Sequence, residues 1–269
     1  MLKYFNDFID LILIATILLG LSAGSFLNVC IYRLPRHESI VFPPSHCPGC
    51  GKKIKWYDNI PLLSFILLKG RCRNCNVKIS LRYPVTELLN CVLWVLMVFF
   101  SADPVQCIVG FAFSSLLILV SAIDLDKMII PDKINLCIFI LAVIRFAVLL
   151  ALKNNPKTLL IDLFAGAFSG SLLLLILSFL ILKLTKKQAL GGGDVKLAFA
   201  CGALMGWKQV LLGIGLSAYI GLIVLLILAL FKKADLKKVF PYGPFLSVGF
   251  LISYMFFDDI LNWYMQNVL

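Results

Sequence analysis

The sequence predicts an all-α, polytopic membrane protein of about eight transmembrane helices with one cytosolic, zinc-binding loop domain. Three observations carry this. Of its 269 residues, 61% are hydrophobic and only 14% charged, against about 45–50% and 25% in soluble domains. The apolar residues gather in long uncharged runs, not in the short alternating segments of an outer-membrane barrel. Four of the nine cysteines stand as two Cys-x-x-Cys pairs in the one stretch where Pro, Gly and charge density rise.

Uncharged runs extend over residues 11–32, 88–102, 104–123, 163–182, 209–231 and 239–257. Two weaker runs join them: 128–152, interrupted by Asp132, Lys133 and Arg145, and 195–207, interrupted by Lys196. About 20 helical residues cross a hydrocarbon core of ~30 Å. The first run ends near Ser22-Ala23-Gly24-Ser25, which resembles a signal cleavage region, but it is long and preceded by Asp7 and Asp10 rather than by a basic segment. It is therefore expected to be a retained span. The sequence accordingly divides into residues 1–32, a first span; 33–86, an aqueous domain; and 87–269, nearly all membrane. No internal repeat stands out.

With the N-terminus outside, twenty of the 25 basic residues fall in inner loops, including Lys127, Lys133, Lys183, Lys186, Lys187, Lys196, Lys232, Lys233, Lys237 and Lys238. This asymmetry orients the chain. It also accounts for the net charge of +11 through topology and anionic lipid head groups, without nucleic acid.

Cys47-Pro48-Gly49-Cys50 and Cys72-Arg73-Asn74-Cys75 are the two pairs. Each tight turn aims two sulfurs at one point, and two such turns close a four-thiolate zinc site. On the cytosolic side thiols stay reduced, which favours metal over disulfide. A closed four-sulfur shell is structural, with no open position for substrate. His46 adjoins Cys47 and is a competing ligand, while nearby Lys52, Lys53, Lys55, Arg71 and Arg73 would offset thiolate charge. Cys30, Cys91, Cys107, Cys137 and Cys201 lie singly in apolar runs, as small buried hydrophobes do.

Carboxylates are costly in a membrane, so those at span ends are where chemistry is expected. Asp124 closes the run 104–123. Asp126 follows two residues later and would point to another helix face, while Asp132, beside Pro131, suits the first turn of the next helix. Asp194 follows Gly191-Gly192-Gly193, where side chains are absent, and opens a short segment. If Trp207 and Lys208 anchor the outer interface, a segment about 21 Å long draws Asp194 below the inner surface. Two such acids brought together would hold one proton between them. The ionised one activates water, and the protonated one polarises a peptide carbonyl and then protonates the leaving amine.

At these residues the chain resembles the type IV prepilin leader peptidases, integral-membrane aspartic endopeptidases. The shared motifs are Gly24-Ser25-Phe26-Leu27-Asn28-Val29-Cys30-Ile31-Tyr32-Arg33-Leu34-Pro35, the paired Cys-x-x-Cys loop and Arg82-Tyr83-Pro84-Val85-Thr86-Glu87. An Asp seven residues before a Pro and a Gly-rich run ending in Asp-Val-Lys complete them. The resemblance implies that Asp124 and Asp194 are catalytic, and that Gly191 to Asp194 is a Gly-x-Gly-Asp motif of membrane aspartyl proteases. It implies cleavage of the short basic leader of prepilin or pseudopilin precursors after a Gly, at the cytoplasmic face of the bacterial inner membrane. It further implies N-methylation of the new terminus with S-adenosylmethionine, an activity associated with the Cys-bearing loop. No Gly-x-Gly-x-x-Gly follows a strand, so the residues that bind the methyl donor are unassigned.

Two other readings fit parts of the chain. A proton- or cation-coupled transporter would use Asp124 and Asp194 as relays with Arg145 as partner. A zinc-dependent assembly scaffold would leave the acids inert.

Overall fold

A computed structural model describes residues 2–153, 155–186, 190–231 and 240–267, which are mostly helical, with no strand among them. The chain divides into two compact units, Met1–Ser101 and Ala102–Leu269. Seven described helices are long and apolar enough to cross a membrane. An eighth apolar helix, 14 residues long, is the short Gly-led segment.

The first unit opens with α1 (Leu2–Arg33), continues through a loop bearing the short α2 (Leu63–Leu67), and ends with α3 (Arg82–Phe100). Thus Arg82-Tyr83-Pro84, expected ahead of the second span, lies inside its first turn, where the missing N–H of a proline costs nothing. Two side-chain amides bind α1 to α3. Asn90 Nδ2 donates to the Gly20 carbonyl at 2.8 Å, and Asn28 Nδ2 to the Tyr83 carbonyl at 3.1 Å. Where lipid is as apolar as the helices, such bonds and close backbone contact replace the hydrophobic drive.

The second unit comprises α4 (Pro104–Lys127), α5 (Asp132–Lys153), α6 (Pro156–Thr185), α7 (Gly192–Met205), α8 (Trp207–Leu230) and α9 (Gly243–Asn267). Proline fixes the start of α4 and α6, and Asp103 caps α4 by accepting the Gln106 N–H at 2.8 Å. The apolar window of α4 is 61% buried, against 28% for α5, α6 and α8, so α4 is enclosed, as is the short α7. Helix α9 runs antiparallel beside it. Gln106 and Tyr254 exchange hydrogen bonds, amide to carbonyl at 3.1 Å and phenol to carbonyl at 2.8 Å.

Small residues let the other helices approach. Gly166 and Gly202 meet backbone to backbone, and a Cβ on either would lie 2.1 Å from the other's carbonyl oxygen. Gly170 and Gly206 extend these rows at the i+4 spacing of close membrane crossings. Gly206 has φ 89° and ψ 167°, a conformation open to glycine alone, and it breaks α7 from α8. Arg145, on α5, donates to the Leu204 carbonyl at 2.6 Å, satisfying an orphan acceptor at the end of α7.

Of the singly placed cysteines, Cys30, Cys91 and Cys201 are buried and Cys107 half-buried, but Cys137 is exposed on α5. It departs from the expected core position because it faces the apolar surroundings of the helix. The inner lysines Lys187, Lys232, Lys233, Lys237 and Lys238 lie outside the described residues.

Candidate functional site

In the second unit, helix α4 runs one turn beyond its apolar stretch and ends at Met128, whose left-handed backbone returns an N–H to the Asp124 carbonyl at 2.8 Å. That extra turn makes Asp124 an intrahelical residue, 5% exposed, while Asp126 is exposed, as helical spacing requires. The Asp124 carboxylate accepts the backbone N–H of Gly243, the first residue of α9, at 2.9 Å. Only glycine fits there: a Cβ would stand 2.7 Å from Asp124 Oδ2.

Asp194 occupies the first turn of α7 and is 7% exposed. Its Oδ2 accepts the Gly191 N–H at 2.9 Å, the reach-back half of a capping box, and the carboxylate faces the positive end of the helix. None of the three glycines before it has positive φ. Gly193 instead provides room, because its Cβ position lies 3.1 Å from Ile130 Cβ in the loop after α4. Lys196 pairs with Asp132 at 2.8 Å, an exposed bridge between the starts of α7 and α5. Asp132 therefore binds a lysine on another helix, besides opening its own. One turn along α5, Asn135 is buried with neither amide atom hydrogen-bonded.

Asp124 lies within electrostatic reach of Asp194, and Asp194 within reach of the Tyr242 phenol. Tyr242 directly precedes Gly243, whose N–H bonds Asp124. The Tyr242 hydroxyl is in turn bonded to Ser217 on α8 at 2.8 Å. Sequence reasoning missed Ser217, Tyr242 and Gly243. The available signal was Phe240-Pro241-Tyr242-Gly243-Pro244, two prolines bracketing a Tyr-Gly at the mouth of a span.

In the first unit, the sulfurs of Cys47, Cys50, Cys72 and Cys75 all lie within 4.8 Å of one another. Tetrahedral metal–thiolate bonds of about 2.3 Å separate sulfurs by about 3.8 Å, and Cys47 and Cys75 Sγ are 3.8 Å apart. The donor set and its spacing fit one metal ion. His46 stands outside this group, its Nδ1 3.3 Å from the Pro44 carbonyl.

Here the structure corrects the expectation of no internal repeat. Residues 45–54 and 70–79 form the same knuckle twice. Cys47 N–H donates to Lys52 and Cys72 N–H to Val77, Gly51 returns to Cys47 and Asn76 to Cys72, and Ile54 closes on Ser45 as Ile79 does on Gly70. The left-handed position holds Gly51 (φ 69°) in one and Asn76 (φ 56°) in the other, the two residue types that tolerate it best. The N–H groups of Cys75 and Asn74 bring the Cys72 thiol down to about 6, while, against the Val77 N–H, desolvation and the neighbouring sulfurs push the Cys75 thiol up to about 11, as for sulfurs crowded around one point. Arg73 does not serve the thiolates directly. It forks onto Asp58 at 2.6–3.0 Å and holds that carboxyl below its usual range.

Two family models match the chain. The bacterial peptidase A24 N-terminal domain covers residues 18–101 and ends where the first unit ends. The type IV leader peptidase family covers residues 111–227 and so includes both aspartates. Proteins named prepilin leader peptidase/N-methyltransferase are similar over most of their length. That of Aeromonas salmonicida is 33% identical across 94% of this chain and 93% of the relative. That of Aeromonas hydrophila is 34% identical over the same shares, and that of Vibrio cholerae 33% identical over 92% and 97%. No solved structure matches. From the geometry and these similarities together, the chain belongs to the type IV leader peptidase family.

Proposed function

We propose that this chain is a membrane aspartic endopeptidase that removes the basic leader of type IV prepilin-like precursors, and that it N-methylates the new terminus with S-adenosylmethionine. The two activities are paired in the names of its relatives. The observation that carries the reading is a pair of buried acids within electrostatic reach of each other, Asp124 held by the Gly243 N–H and Asp194 held by the Gly191 N–H.

Holding one proton between them, the two carboxyls divide the work. The ionised group takes a proton from water as its oxygen bonds to the scissile carbonyl carbon. The protonated group hydrogen-bonds the carbonyl oxygen, and the C–N bond breaks as the amine receives a proton. The Gly243 and Gly191 N–H groups fix each carboxylate by charge-assisted bonds, so orientation is set before substrate arrives.

Four cysteines, Cys47, Cys50, Cys72 and Cys75, would hold structural zinc, whose closed thiolate shell supplies folding energy to a loop with little core of its own. In this reading residues 1–32 are a first span, residues 33–86 the metal-bearing domain associated with methyl transfer, and residues 87–269 the peptidase. Basic inner loops orient the chain in the bacterial inner membrane with the acids toward the cytosol. A precursor anchored by its apolar helix then presents its scissile bond at the membrane boundary.

A transporter reading would need Arg145 beside the acids, whereas its guanidinium is committed to the end of α7. The test is incubation of the purified chain with a pilin-type precursor and S-adenosylmethionine in detergent. The masses of the products should correspond to the free leader and to a mature chain heavier by one CH2, a methyl in place of a hydrogen. An intact precursor would reject the peptidase reading, and an unmethylated mature chain would reject the second activity.

A further inference from the structure

In the loop of the first unit, residues 60–68 are uncharged and, Ser64 apart, apolar, and they contain the short helix α2. The run is too short to cross a membrane, yet its surface is not that of an aqueous loop. Leu63, Ile66 and Leu67 share one face of α2 at the i, i+3, i+4 spacing and are 55%, 70% and 71% exposed. A five-residue helix has little stability of its own, and an apolar face of this kind marks a contact.

The depth of the run is fixed by its bonds. Helix α3 has 19 residues, about 28 Å, so nearly its whole length is needed to cross a hydrocarbon core of ~30 Å. Glu87, its sixth residue, therefore lies about 7 Å inside the end marked by Arg82. Gly24 of α1 is level with it, since a Cβ there would stand 2.7 Å from Glu87 Cα. The buried Glu87 carboxylate accepts the Leu62 N–H at 2.8 Å and a bond from the Ser25 side chain. Pro61 lines a cavity together with Ser22 and Ser25 of α1. The loop thus turns back alongside the two spans. Leu62 has a φ of 57°, a conformation that persists in a bulky residue only where such contacts impose it.

We propose that residues 60–68 are a re-entrant segment seated in the loop-side leaflet, with the face of Leu63, Ile66 and Leu67 against lipid acyl chains. The inference rests on α1 and α3 crossing the membrane and on neither proposed activity. Lipid demands that backbone polar groups find partners within the protein. The N–H groups of Leu62, Ser64, Ile66 and Leu68 do so, at Glu87, Ile60, Leu62 and Ser64. The flanks have the composition of a membrane interface, with Trp56, 80% exposed, and Tyr57 before the run, and Lys69 and Arg71 after it. Residues 33–82 hold ten basic against two acidic side chains. That balance suits anionic head groups beside the segment and repels a precursor's basic leader, which selects lipid over substrate as the occupant.

The test places a tryptophan on the face. Full-length Ile66→Trp is reconstituted in vesicles of phosphatidylglycerol and phosphatidylcholine, and the emission of the unaltered chain in the same vesicles is subtracted. The added emission is expected to fall at least twofold when the phosphatidylcholine carries brominated acyl chains, and to change little with aqueous acrylamide. Circular dichroism and a single elution peak verify folding, and Leu67→Trp replaces Ile66→Trp if that variant fails them. Strong quenching by acrylamide with no effect of bromine returns the segment to water and overturns the proposal. Protection from both quenchers puts protein on the face, such as a second copy of the chain, and equally overturns it.

Discussion

Asp124 and Gly243 are joined by a single hydrogen bond, carboxylate to backbone N–H at 2.9 Å, across 119 positions of sequence. The bond ties the enclosed helix α4 to the first residue of α9. It also fixes one Asp124 carboxylate oxygen next to the residue that follows Tyr242.

A glycine series tests that arrangement. Gly243→Ala places a methyl 2.7 Å from Asp124 Oδ2 and is expected to lower precursor cleavage at least a hundredfold, with membrane insertion retained. Gly193→Ala meets Ile130 at 3.1 Å, and an intermediate loss is expected, because a side chain can yield. Gly192→Ala has nothing within 4 Å and should cleave within about twofold of the unaltered chain, since alanine is also the better helix former. Cleavage rates measured side by side should follow this order.

The crossing of α6 and α7 should tolerate no side chain. Gly166→Leu or Gly202→Leu would drive carbon into backbone oxygen 2.1 Å away. Either variant should lose the short helix α7 from its place, together with all cleavage. Limited proteolysis in detergent should show new cuts in the second unit.

The knuckles predict a metal dependence. Cys72→Ser should reduce bound zinc from about one equivalent to well below half, measured by atomic emission on protein purified without chelator. At the left-handed position of the same knuckle, Asn76→Gly should be neutral, whereas Asn76→Val should cost about 1–2 kcal/mol of loop stability. Zinc release by a chromogenic chelator at graded temperatures would separate the two.

The Asp58–Arg73 fork gives a pH dependence of known sign. Arg73 lowers the Asp58 carboxyl from its ordinary value of 3.8. The folded form therefore binds this proton less readily than the unfolded chain. The resulting stability is fully present above the ordinary value and lost as pH falls through the lowered one. Asp58→Asn should flatten that acid limb of a loop-proteolysis profile by lowering stability at neutral pH to the level the loop already has in acid, a small step because Arg73 is half exposed.

Much of the fold was legible because membrane helices announce themselves by composition. The runs at 104–123 and 209–231 became α4 and α8 with small shifts of boundary. Helix α6 is longer than its apolar run because Pro156 and Lys183 sit in its first and last turns. Such ends are set by capping and proline geometry, not by hydropathy. The two aspartates were legible as costly charges beside apolar runs. Gly243 and Tyr242 were not, since their meaning lies in a tertiary contact with a helix more than a hundred residues earlier. The repeated knuckle was likewise hidden: besides its cysteines, only Lys53/Lys78 and Ile54/Ile79 repeat, while its bonds are made by backbone.

The central claim is that Asp124 and Asp194 act as one unit. Its most direct test is mass measurement of a pilin-type precursor incubated with purified, membrane-inserted Asp124→Asn, Asp194→Asn and the double variant. The account predicts that each single variant loses cleavage by at least a thousandfold and that the double variant is no worse than either. Cleavage persisting in either single variant at a tenth or more of the unaltered rate would contradict it.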